Sequence, residues 1–323
     1  MVRMTVLASG SKGNSTVVSS SRTRIMVDAG LSCRELFKRM QTAGEDPRTL
    51  DAILITHEHQ DHVQGLAVTA RKLGIPVYFT KPTHRAWMRW MVPRKRMTYA
   101  DWLAQRKQQA EAAAAAVNPA IPDREAFEEE QEGLPASSLE PSPELKAETR
   151  RETDPCALPG VEYFVAGQGF QVGDIAVTPF TIPHDAADPV GFVFEAEGVR
   201  IGLATDLGYM PANAAMRLRR CDVLMLESNH DLDMLRDGPY PWSVKQRVMS
   251  RVGHLSNHAA AEFLESTYDG QAAYVVLAHL SESNNLPELA RISAEHALRD
   301  HMNLLANKLL LATQEAPLES ISL

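Results

Sequence analysis

Three histidines and an aspartate crowd into Thr56-His57-Glu58-His59-Gln60-Asp61-His62, directly after the apolar run Ala52 to Ile55. Four such side chains within six residues supply nitrogen and oxygen donors suited to zinc or a similar divalent ion. The apolar run reads as a buried strand that stops at Thr56, so the cluster begins where the strand ends. His57 and His59, two apart, can point the same way from extended backbone, whereas Asp61 and His62 need a turn to reach a second ion. The competing explanation, a solvated polar loop, does not account for four potential ligands gathered at one strand end.

The surrounding pattern is α/β. Met4 to Ala8, Thr16 to Val18 and Arg24 to Val27 are short apolar runs, the last ending at Asp28-Ala29-Gly30. Leu36, Phe37 and Met40 have the spacing of a helix from about Ser32 to Ala43. Further strands are predicted at Gly169 to Val172, Ile175 to Phe180, Gly191 to Glu195, Arg200 to Ala204, Val223 to Glu227 and Tyr274 to Leu277. Alternating strands and helices of this kind indicate a mixed architecture in one domain spanning 1–323.

Residues 94–159 break the pattern. An alanine run, Ala112 to Ala116, sits in a Gln/Glu-rich stretch, and Pro135 to Pro143 is rich in Pro, Ser and Glu. This reads as an acidic, partly disordered insertion. Between Ala100 and Pro155 thirteen acids face six bases, so this segment holds seven of the eight net negative charges. The acidic balance therefore says little against a nucleic-acid partner for the rest of the chain. Cys33, Cys156 and Cys221 lie far apart and form neither a disulfide framework nor a thiolate site. No apolar stretch is long enough to span a bilayer, and Met1 to Asn14 lacks the apolar core of a secretory signal. The expected location is the cytoplasm, with no membrane partner.

The pattern His57-x-His59-x-Asp61-His62 resembles the metal-binding signature of metallo-β-lactamase-fold hydrolases. Later stations of that superfamily follow in order: Pro183-His184-Asp185-Ala186, Ala204-Thr205-Asp206-Leu207-Gly208 and Leu277-Ala278-His279-Leu280-Ser281. Ser9 to Ser15, Glu227-Ser228-Asn229-His230-Asp231, Gly253-His254-Leu255-Ser256-Asn257 and Ala278 to Asn285 are similar to the YycJ/WalJ-type branch, which is regarded as exonuclease-like. The resemblance covers roughly Met4 to Pro93 and Val161 to Leu298, and the acidic insertion departs from it.

The resemblance implies a four-layer αββα sandwich with two divalent metal ions, zinc or manganese. His57, His59 and His184 would hold one ion and Asp61, His62 and His279 the other, with Asp206 shared between them. Asp28 would orient a ligand imidazole. The activity implied is metal-dependent phosphodiester hydrolysis of DNA, 5′-to-3′ exonuclease-like, by a hydroxide that two metals activate. Asp61 would orient the nucleophile and His254 assist the leaving group.

Substrate contacts are expected from Asn14, Asn229, Arg247 and Arg251, the arginines on a helix ending near Gly253. The alternative reading makes His254 a helix cap and the arginines a solvated face. The Ser9 to Ser15 loop lacks the spacing of a nucleotide-binding P-loop. Trp87, Trp90 and Trp102 with Arg94-Lys95-Arg96 suit base stacking or simple burial. The competing activity is thioester or lactone hydrolysis of a small molecule, since fold and metals serve several chemistries.

Overall fold

A computed structural model describes residues 1–91, 103, 106–108, 154–299 and 308–323. Backbone contacts divide the chain into a body, Met1–Val92 with Asp154–Leu323, and a second unit, Pro93–Thr153. The acidic insertion predicted over 94–159 lies almost wholly outside the described residues, as do Trp102 and Arg94 to Arg96. Cys156 and Leu158, at the end of that stretch, pack against the core of the body.

Among the described residues the body holds two seven-stranded sheets. The first contains β1 (Arg3–Ala8), β2 (Ser15–Ser19), β3 (Arg24–Val27), β4 (Ala52–Leu54), β5 (Val77–Phe79), β6 (Val161–Tyr163) and β14 (Ile321–Ser322), in the order β14-β1-β2-β3-β4-β5-β6. The second contains β7 (Phe170–Val172), β8 (Ile175–Thr181), β9 (Val190–Ala196), β10 (Val199–Ala204), β11 (Val223–Glu227), β12 (Tyr274–Ala278) and β13 (Lys308–Leu311), in the order β13-β12-β11-β10-β9-β8-β7. Each sheet is antiparallel at one side and parallel at the other: β3 through β6 run parallel, and so do β10 through β13.

Alternation along these strands sorts side chains into layers. Ile25, Val27, Ala52 and Leu54 face inward and meet Phe192, Ile201, Val223, Met225 and Val276 from the other sheet. Met26 and Ile53 point outward, under Leu36, Met40 and Leu66 of two covering helices, Cys33–Thr42 and Leu66–Leu73. Leu224, Leu226, Val275 and Leu277 point outward from the second sheet, beneath Phe263, Leu264, Ala290 and Ala294 on helices Asn257–Ser266 and Pro287–Leu298. Three apolar layers between four structural layers make the αββα sandwich.

The helix predicted over Ser32 to Ala43 forms at Cys33–Thr42, because the Ser32 side chain accepts from the Glu35 amide and caps it. No helix among the described residues is long and apolar enough to cross a membrane. The parallel strands β3 and β4, and β10 to β12, bring their carboxyl ends to the residues singled out in the sequence, the position where ligand sites form in such sheets.

Candidate metal centre

Three strand-end residues leave regular geometry at this edge. Asp28 (φ 60°), Asp206 (φ 61°) and His279 (φ 55°) take left-handed backbone, which costs a non-glycine residue conformational energy. Each follows β3, β10 or β12 closely, so the strain turns polar side chains inward, where the strands would otherwise place apolar ones. Between β4 and the Gln60–Val63 helix, extended backbone carries His57 and His59, and the helical turn brings Asp61 and His62 round.

Two sets of ligand atoms result. One atom each from His57, His59 and His184 lie within 4.8 Å of one another, and likewise Asp61, His62, Asp206 and His279. In the first set His184 Nε2 stands 3.2 Å from His59 Nδ1. In the second, His62 Nε2 lies 3.4 Å from both Asp61 Oδ2 and Asp206 Oδ2. His279 Nε2 lies 3.3 Å from Asp206 Oδ1 and 3.5 Å from Asp61 Oδ2. Ligands at about 2.0–2.1 Å around a tetrahedral ion stand roughly 3.3 Å apart, so these separations match the edges of coordination polyhedra. His57 Nε2, Asp206 Oδ2 and His279 Nε2 are buried without a hydrogen-bond partner, a costly state for polar atoms unless something else binds them. The donor set and its spacing fit divalent metal.

The outward nitrogens are fixed by the protein. Asp28, 3% exposed, accepts from the Thr56 amide at 2.9 Å, the Thr56 hydroxyl at 2.8 Å and His62 Nδ1 at 2.8 Å. Because the Thr56 hydroxyl donates to Asp28, its oxygen is left to accept from His57 Nδ1 at 3.0 Å. His184 Nδ1 donates to the Gly253 carbonyl at 3.1 Å, and His279 Nδ1 to Glu227 Oε1 at 3.1 Å. In each ring the opposite nitrogen is thereby freed as a lone pair toward the centre.

Electrostatics divides the two sets. Burial, reinforced by neighbouring imidazoles, pushes His57 and His184 below the usual histidine range and keeps them neutral, as coordination requires. In the second set burial acts against the charged form, but Asp206 and Asp61 overcome it and hold His62 well above its usual value and His279 at about 10. Carboxylates concentrated there demand positive charge, and protons on these two rings provide it when no cation does.

Glu227 is the residue that sequence reasoning passed over. It ends β11 fully buried and accepts from His254 Nδ1 at 2.7 Å, His279 Nδ1 at 3.1 Å, the Leu207 amide at 2.8 Å and the Leu255 amide at 3.2 Å. Burial alone would raise its pKa, yet the His254 and His279 rings bring it down to about 2. The signal was available: a glutamate closing an otherwise apolar strand needs a buried partner. One carboxylate thus aims both rings, and replacing Glu227 with Gln is expected to lower both metal affinity and turnover by about 10- to 100-fold, measured by competition with a chelator and by initial rates. A variant with unchanged affinity would remove that role. Asp206, Glu227, His254 and His279 also form a third group within 4.8 Å, but Nδ1 of each ring is already taken by Glu227 there.

The other residues singled out fall as follows. Asn14 is 7% exposed, and its amide nitrogen donates to the Gly10 carbonyl at 3.0 Å and Asp61 Oδ2 at 3.1 Å and stands 3.1 Å from His62 Nε2. Asn229, equally buried, donates to the His279 carbonyl at 2.8 Å. Both side chains brace metal-site residues. His254 is the cap residue of neither neighbouring helix, since Met249 ends the one before it and Ser256 caps the one that follows. Its side chain is 21% exposed, 3.8 Å from Asp206 Oδ1, with its ring stacked on His279. The helix expected to reach Gly253 ends earlier, at Trp242–Val248. Arg247 on it pairs with Asp185, and Arg251, in the turn beyond, lies with its guanidinium 4.2 Å over the Tyr209 ring. Trp87 is 1% exposed and belongs to the core, while Trp90 is 77% exposed.

Backbone contact also ties the cluster down. The Asn14 amide donates to the Asp61 carbonyl at 2.7 Å and the Ala29 amide to the His62 carbonyl at 2.8 Å. A Cβ on Gly30 would stand 1.7 Å from the Asp61 carbonyl oxygen and 2.6 Å from the Asn14 nitrogen. Gly30→Ala is therefore expected to cost at least about 1–3 kcal/mol of stability and to weaken metal binding with it, read from a thermal melt and a metal titration. An unaltered melt would show that the two loops do not need this close approach.

The family model of the metallo-β-lactamase superfamily matches residues 8–243. The chain belongs to the metallo-β-lactamase superfamily. Within that superfamily it falls in the YycJ/WalJ-type branch. It is 31% identical over 299 residues to the exodeoxyribonuclease YycJ of Bacillus anthracis, covering 93% of this chain and 90% of that protein. To the exodeoxyribonuclease WalJ of Streptococcus pneumoniae it is 30% identical over 296 residues, covering 92% and 88%. Among solved structures it resembles the metallo-β-lactamase-fold protein YhfI of Bacillus subtilis, with a TM-score of 0.58 at 13% identity over 98% of this chain and 99% of the other. The Zn(2+)-bound PqqB of Methylobacterium extorquens gives 0.58 at 16% identity over 99% and 100%. These structural likenesses speak to the metallo-β-lactamase fold alone. The chain is an enzyme, a metal-dependent hydrolase.

Proposed function

We propose that the enzyme hydrolyses phosphodiester bonds in DNA, removing nucleotides from a 5′ end, with two divalent ions, zinc or manganese, at its centre. The observation that carries this reading is the set of 3.2–3.5 Å separations among buried, partly unpartnered ligand atoms, joined to 31% identity with a protein named exodeoxyribonuclease. His57, His59 and His184 would hold one ion and Asp61, His62 and His279 the other, with Asp206, whose carboxylate stands among the second set, as the ligand they would share. Ions bound there supply Lewis acidity and acidify a water toward neutrality.

The chain's own residues do the rest. Asp28 and Thr56 engage Nδ1 of His62 and His57, so that Nε2 is the nitrogen of each ring turned to the centre. Asn14 donates to Asp61 Oδ2, the oxygen that faces His62 and His279, and so keeps that carboxylate turned toward the centre, where it orients the attacking water. Glu227 occupies His254 Nδ1, so Nε2 of that ring is the nitrogen left to meet the substrate, and a proton there can pass to the departing sugar oxygen. Arg247 and Arg251, both on the exposed side, suit contacts with backbone phosphates.

The test is digestion of 5′- and 3′-labelled single strands of DNA and RNA after metal removal and after restoring each ion, beside a chromogenic thioester. Release of labelled mononucleotides from 5′-labelled DNA is expected. Turnover of the thioester with no cleavage of any strand would overturn the reading.

A further inference from the structure

A cavity of about 530 Å³ opens beside the centre, within the size range of small-molecule sites. His59 and Asp61 form one side of it, so it is continuous with both ligand sets, while Trp90 and Met91 form an apolar side and Arg247 stands in its lining. The Trp90 ring, 77% exposed, offers a large apolar face, an arrangement that suits a planar ligand. Glu58 lines the same cavity and is 8% exposed. Its Oε1 accepts from the Ala187 amide at 2.9 Å, but Oε2 has no hydrogen-bond partner. A buried carboxylate oxygen left single lacks the donor that would offset its lost hydration.

We propose that this cavity receives the nucleobase adjoining the scissile phosphodiester, with Trp90 stacking on the base and Glu58 Oε2 accepting from its exocyclic amine. The inference rests on the nuclease reading above and adds to it the element that grips and reads the end nucleotide. A phosphate at His59 and Asp61 places its attached nucleoside within reach of the cavity they line. An apolar wall suits the ring faces, which every base presents. The carboxylate favours bases with an amino group, cytosine, adenine and guanine, and disfavours thymine, which offers only a carbonyl oxygen and a methyl group at the equivalent position.

The test uses metal-reconstituted enzyme and single strands made uncleavable by phosphorothioate linkages, differing only in whether the end nucleotide is dC or dT. Binding is followed by fluorescence anisotropy. The wild type is expected to favour dC by about tenfold. Trp90→Ala is expected to weaken both strands about tenfold, with Trp90→Phe recovering most of the loss. Glu58→Gln keeps an oxygen for the Ala187 amide and turns an NH₂ group into the cavity, so the dC preference should vanish or reverse toward dT. If the wild type cleaves ordinary DNA yet Trp90→Ala and Glu58→Gln retain its affinity and base preference, the base site is wrong and the nuclease reading stands. If the wild type neither binds nor cleaves any strand, both fall together.

Discussion

Asp206→Ala will bind at least one equivalent of divalent metal fewer than the wild type and retain no more than about a thousandth of its turnover. The size follows from charge stabilisation: a metal supplies several kcal/mol to a phosphoryl transition state, and each 1.4 kcal/mol is about tenfold in rate. Asp206 offers Oδ2 to His62 and Oδ1 to His279 at 3.4 and 3.3 Å, and it is 2% exposed. Asp61, the other carboxylate of that set, is already engaged with Asn14 and cannot take its place. Asp206→Asn separates charge from shape: it fills the same space, and the same loss is expected. Elemental analysis of purified protein alongside single-turnover rates reads both quantities, and full metal content with full activity in either variant would refute the shared-ligand assignment.

The second large effect belongs to His254. If its Nε2 passes a proton to the departing sugar oxygen, His254→Ala should reduce turnover by about 10²–10⁴-fold without changing metal content, since the ring is outside both ligand sets. A substrate carrying sulfur at the leaving position tests the role directly. A thiol is acidic near 8.5, as in cysteine, and departs without a proton. On that substrate the variant should recover to within about tenfold of the wild type. An equal loss on oxygen and sulfur substrates would mean that His254 acts by holding its surroundings, and the stacked contact with His279 would then carry the explanation.

Much of the site was legible in the sequence because its chemistry is local. Thr56 to His62 places four candidate ligands within seven residues, and the apolar run before it fixes where they emerge. What the sequence could not give is set by long-range packing. Asn14 and Asn229 read as cleft residues because small polar side chains after strands line clefts as readily as they brace a loop. Only the approach of the Ser9 to Ser15 loop to Asp61, 47 residues on, decides that Asn14 is occupied. Glu227 was visible as an anomaly at the end of an apolar strand, but its partners lie 27 and 52 residues away. The strands Lys308–Leu311 and Ile321–Ser322 went unrecognised for the same reason. Such short edge segments are strands only because β12 and β1 supply their hydrogen-bond partners. Trp87 and Trp90, three residues apart on one helix, look alike in sequence, and one is buried while the other faces the cavity.

The most direct measurement is anomalous diffraction from crystals grown with manganese or zinc. Two peaks are expected roughly 3.5–4 Å apart, one enclosed by His57, His59 and His184 and one by Asp61, His62 and His279, with an Asp206 oxygen touching each. A lone ion seated among Asp206, Glu227, His254 and His279, or density remote from both histidine sets, would contradict the dinuclear centre.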